Sequence, residues 1–169
     1  MASEFSGEVT RRLADFISEI GLDIVSVELS TKTFLPGILV ENGKILADET
    51  KLTYPGDLLH DAGHLALAPG KLRSTLNGEV ALPGVHMQSF EVGVIAWSYA
   101  AILHLGLDPR VVFHAGGYGV ESERVMQNFT LGAYIGVNVL QDVGLAAMGN
   151  RAIELGVDPY PHMIKWLRD

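Results

Sequence analysis

Residues 53–70 read Thr-Tyr-Pro-Gly-Asp-Leu-Leu-His-Asp-Ala-Gly-His-Leu-Ala-Leu-Ala-Pro-Gly, and how this stretch folds decides how the rest of the chain is understood. Thr53 can cap a helix that takes Pro55 and Asp57 into its first turn, where neither a missing amide nor a negative charge is penalised. The helix is expected to run to about Ala68, where Pro69-Gly70 ends it. Positions i and i+4 share one helical face, so His60 and His64 project to the same side and can hold one ion between them. The plainer reading is a pair of packed histidines. Against it stands the apolar, nearly neutral surrounding sequence, in which two unpartnered imidazoles would be costly to bury.

Working outward, Phe5, Val9, Leu13, Phe16, Ile17 and Ile20 recur at three- and four-residue intervals, which predicts an amphipathic helix closed by Gly21. Residues 24–29, 37–40 and 44–47 read as short strands, with Asn42-Gly43 as a hairpin turn. Downstream, a Gly- and Pro-containing loop is expected to about Gln88, then a long apolar helix over 89–105. A connector over 113–119 follows, then helical segments over 122–131, 135–143 and 159–167. Helix, small sheet and then helices make an α+β fold, expected as one domain over 1–169.

Composition narrows the chemistry. Twenty acidic residues against 12 basic ones give a net charge of −8, which argues against nucleic acid and against anionic membrane surfaces. There is no cysteine, so a metal would have to be held by imidazole and carboxylate. Residues 1–10 lack the basic start and apolar run of a secretory signal, and the uncharged stretch 92–107 is only about 16 residues long, short of a bilayer span. A cytoplasmic location is the default expectation. The 48% hydrophobic content and the long apolar helices make a homo-oligomer plausible.

The His60-Asp61-Ala62-Gly63-His64 sequence resembles the His-Glu-x-x-His helix of zinc metallopeptidases, with Asp61 where the family has Glu. The wider context, Leu35-Pro36-Gly37, the hairpin to Asp48, residues 55–64 and then 91–99, is similar to the zincin-like domains related to the bacterial ImmA/IrrE peptidases. The resemblance covers roughly the first two-thirds of the chain. It implies a zincin-like fold and a hydrolase acting on a peptide or protein. It also implies one Zn2+ ion held by His60 and His64, with Asp61 as the base that deprotonates the attacking water. In the gluzincin arrangement the third ligand is a Glu on the next helix, which points to Glu91; His86 is the rival and Glu79 a weaker one. Glu91 also reads as an ordinary first-turn acid.

Asp61 departs from the pattern. Its side chain is one methylene short, and a shortfall of about 1 Å can cost on the order of a hundredfold in rate. It reads as a base on a shifted backbone, as a group supporting a ligand, or as the mark of a module that binds metal or protein without hydrolysis. His114 and Tyr118 are candidates for steadying an oxyanion; residues 116–119 read as a turn, since no strand and Gly-x-Gly-x-x-Gly accompany them. His60-Asp61 also resembles the His-Asp signature of the HD-domain phosphohydrolases, whose helical fold needs a further His upstream. His60 is the first histidine here, and the segment before it reads as strands.

Overall fold

The computed structural model describes residues 4–78, 87–118 and 121–169, with 87–89 and 118 described by backbone alone. Helix α1, Glu8–Glu19, buries Leu13, Phe16 and Ile17 as their spacing predicts, together with Ala14, and Gly21 follows it at φ 100°. Glu49 accepts hydrogen bonds from the amides of Ser6 and Gly7 at 2.9 and 2.7 Å, placing a carboxylate at the positive end of α1.

Three strands follow: β1, Asp23–Ser26; β2, Ile38–Glu41; and β3, Lys44–Ala47. β3 is central, parallel to β1 and antiparallel to β2. Asn42 and Gly43 both take positive φ, the conformation a two-residue hairpin turn demands, so that turn sets the β2–β3 register. Ile38, Val40, Ile45 and Ala47 turn inward and are at most 3% exposed.

The β3–α2 corner is fixed by Asp48, whose side chain is 3% exposed. Asp48 accepts from the Thr50 hydroxyl at 2.6 Å and the Leu29 amide at 2.9 Å, with the Lys51 ammonium at 3.2 Å. The Thr50 and Leu29 bonds, then Lys51, hold its carboxyl down at about 2, below its ordinary 3.8. A depressed carboxyl contributes stability that is present above 3.8 and is lost as pH falls through about 2. In chemical denaturation at a series of acidic pH values, Asp48→Asn is therefore expected to flatten this limb of the stability curve. An unchanged slope would place the acid sensitivity elsewhere.

Helix α2 runs over Asp57–Leu67, shorter at its start than the sequence predicts. Thr53 makes no cap; the amides of Asp57, Leu58 and Leu59 bond three residues back to Tyr54, Pro55 and Gly56, so a tight turn leads into the helix. At the other end, the Arg73 guanidinium donates to the carbonyls of Leu65 and Ala68 and to that of Arg168, closing the helix that carries the histidines. Arg73 belongs to a short helix, α3, Gly70–Arg73, within what the sequence presents as loop.

Helix α4, Met87–His104, is apolar over most of its length, Glu91 being its one acidic residue. Val94, Ala96, Trp97, Ala101 and Ile102 on it are fully buried. It packs against α2, and on another side against α7, Val137–Asp142. The interlocks are glycines. A Cβ on Gly63 would sit 3.0 Å from Val94 Cγ1 and 3.2 Å from Trp97 Cε3, and one on Gly93 would sit 2.6 Å from Val139 Cγ1.

Two expectations fail beyond α4. Residues 115–118 form a short helix, α5, Ala115–Tyr118, where a plain connector is predicted; α6, Glu121–Thr130, follows close to prediction. The helix predicted over 159–167 does not form. Pro159 and Pro161 lack amides to donate, and the segment runs as a strap whose Tyr160, Ile164 and Arg168 amides bond to Ala147, Leu145 and Ala66. The last helix is instead α8, Gly149–Leu155, stopped by Gly156 in the left-handed conformation. The described fold is α+β, and among the described residues no helix is long and apolar enough to cross a membrane.

Candidate metal centre

Helices α2 and α4 bring His60, His64 and Glu91 to one point. One carboxylate oxygen of Glu91 lies 3.0 Å from His60 Nε2, the other lies 3.1 Å from His64 Nε2, and the two Nε2 atoms are 3.2 Å apart. One donor atom from each of the three residues lies within 4.8 Å of the other two. The local cause is plain in the sequence: i,i+4 spacing on α2, Glu91 one turn into α4, and Gly63 letting the two helices close.

A tetrahedral zinc ion with bonds of about 2.0–2.1 Å to nitrogen keeps its donors about 3.3–3.4 Å apart. The observed separations fall just inside that edge, and two imidazoles with a carboxylate form a donor set that suits zinc. Type, number and spacing of the donors therefore fit one ion. The support behind the donors is partial, because His64 Nδ1 is buried with no hydrogen-bond partner, where a ligating imidazole usually donates to an acceptor.

Charge is focused here. Burial pushes the Glu91 carboxyl upward, but hydrogen bonds from His60 and His64 outweigh it and hold Glu91 well below the ordinary carboxylate range. For His60, burial acts to lower the imidazole, and the Glu91 carboxylate, with Asp61 and Asp57 adding to it, reverses this and leaves it raised. Asp61 is lifted to about 6, chiefly by burial, with Asp57 and Glu91 adding to the rise and the two histidines opposing it. A carboxyl near neutrality is suited to exchanging protons at working pH.

Two cavities flank the histidine face of α2. One, of about 200 Å³, is lined by Phe34, Leu35, Asp57, His60, Glu91, Val112 and Gly117. The other, of about 210 Å³, is lined by residues 31–35 and 38–40 with Asp61 and Gly78, so Asp61 opens toward the β2 side. Phe34, 83% exposed, stands between them.

No family model, curated protein or solved structure matches this chain.

The remaining candidates divide. His114 does not offer a free donor to the cavity: its Nε2 lies 2.7 Å from Asp57 Oδ1, and its Nδ1 is buried without a partner. Its ring stacks on Tyr54 at a centroid distance of 3.7 Å and an angle of 8°. The Tyr118 side chain, and His86 and Glu79, lie outside the described residues. Asp57 is the residue that sequence reasoning passed over as a first-turn acid. Its signal was available, because it stands three residues before His60 and so shares the face that carries both histidines.

Proposed function

We propose that this chain is a zinc-dependent hydrolase of peptide bonds with a zincin-like arrangement, acting on a peptide or protein. The observation that carries the reading is the convergence of His60, His64 and Glu91 from two packed helices, at separations suited to one ion. When bound, zinc would polarise the scissile carbonyl and acidify water.

The chain's own residues supply the rest. Glu91, kept ionised by the two imidazoles, brings a negative charge that compensates a divalent cation. Gly63 and the Arg73 cap hold α2 at fixed depth against α4, so both imidazoles meet Glu91 without rearrangement. Leu35 and Val112 give the cavity apolar walls that limit water, while Phe34 offers an exposed ring to a substrate side chain. Two carboxylates, Asp57 and Asp61, flank His60 and are available to move a proton.

Incubation of the zinc-loaded protein with fluorescein-labelled casein tests the reading. Release of labelled peptides, abolished by a chelator and restored by zinc, is the expected result. Hydrolysis of bis(p-nitrophenyl) phosphate with no action on casein would replace it with a phosphohydrolase. Bound zinc without either activity would leave a metal-binding interaction module.

A further inference from the structure

We propose that Asp57, held in place by His114, is the carboxylate that takes the proton from the attacking water, in place of Asp61; the proposal rests on the hydrolase reading above. The cavity that contains His60 and Glu91 on its wall also contains Asp57, and Asp61 lines the neighbouring cavity instead. A base must be within hydrogen-bond reach of the proton it removes, so the shared cavity favours Asp57.

The pair is built with care. Asp57 and His114 side chains are only 11% and 9% exposed and meet at 2.7 Å. Because a carboxylate only accepts, His114 Nε2–H is the donor and Asp57 Oδ1 the acceptor. Asp57 makes no other side-chain hydrogen bond among the described residues, which leaves Oδ2 for the cavity. The His114 ring is fixed by its stack on Tyr54, and the His114 carbonyl accepts the Ser122 hydroxyl at 2.7 Å.

The backbone around the pair leaves no slack. A Cβ on Gly56 would lie 1.9 Å from the Val111 carbonyl oxygen, and one on Gly116 would lie 2.2 Å from the Tyr54 ring. Packed apolar residues often serve stability as well as a buried carboxylate–imidazole pair, so stability alone does not account for the arrangement.

In the step this assigns, an O–H bond of water breaks and its proton goes to Asp57 Oδ2. The electron pair stays on the oxygen, which bonds to the carbonyl carbon as the C=O π pair moves onto the carbonyl oxygen; return of that pair breaks the C–N bond. Asp57 later returns the proton to the departing amine, and Oδ1 keeps its bond from His114 throughout. Asp57 is then regenerated.

Acetohydroxamic acid tests this without any need for turnover, because it is neutral near neutral pH and gives up its hydroxyl proton on binding a zinc site. Calorimetry of its binding to the zinc-loaded protein, in buffers of different ionisation enthalpy, counts the protons released to solvent. The wild-type protein and Asp61→Asn are expected to release almost none, since Asp57 retains the proton, whereas Asp57→Asn is expected to release about one per hydroxamate. Retention by Asp57→Asn, or release by Asp61→Asn, overturns the proposal while leaving the zinc reading intact. Absence of zinc uptake overturns both.

Discussion

Trp97→Ala is expected to destabilise the protein by about 3–5 kcal/mol, the range for deleting a large buried aromatic. For a domain of this size that corresponds to a fall of roughly 6–20 °C in thermal midpoint. Trp97 is fully buried at the middle of α4. Its Nε1–H donates to the Trp166 carbonyl at 3.0 Å, and its ring meets Trp166 edge-on and Phe16 at a tilt, with centroids 5.7 and 6.1 Å away. Removing the indole leaves a cavity and an unpaired carbonyl, and it takes away the surface on which Gly63 of α2 rests. Zinc affinity should therefore fall together with stability, because α2 and α4 carry the separate parts of the site. Trp97→Phe, which keeps most of the volume, should cost much less in calorimetric melting. Equal losses for the two variants would mean that the hydrogen bond, and not packing, is what matters.

Glu91→Gln is expected to weaken zinc binding by more than the roughly 10–100-fold that accompanies loss of a group supporting a ligand, since it removes the only carboxylate in the donor triad. The substitution keeps the side chain's shape and deletes its charge, so the fold should be unaffected. It carries a second signature. Glu91 raises His60 against the lowering effect of burial, so His60 should titrate at lower pH in the variant when followed by NMR without added metal. Unchanged zinc affinity with a shifted His60 would make Glu91 a partner of the histidines only.

The sequence made much of this site legible because its parts are local. An i,i+4 pair on an apolar helix states its own geometry, and the hairpin was marked by Asn42-Gly43, whose positive φ values few other pairs adopt as readily. Glu91 could be placed on the next helix because the apolar run of α4 is continuous. What stayed hidden is tertiary. The pairing of Asp57 with His114 spans 57 residues and depends on Gly56 and Gly116 permitting close approach, which no periodicity records. The C-terminal strap resembles a helix in sequence because Tyr160, Met163 and Leu167 fall at helical spacing, whereas their burial comes from packing against the core. The two prolines in that segment were the contrary signal.

Counting metal is the most direct measurement: elemental analysis of the wild-type protein and His64→Ala, each dialysed after exposure to zinc. One zinc per wild-type chain and almost none in the variant is the predicted result, with both proteins showing the same circular dichroism. Equal metal in the two samples, or none in the wild type, would contradict a metal centre at His60, His64 and Glu91.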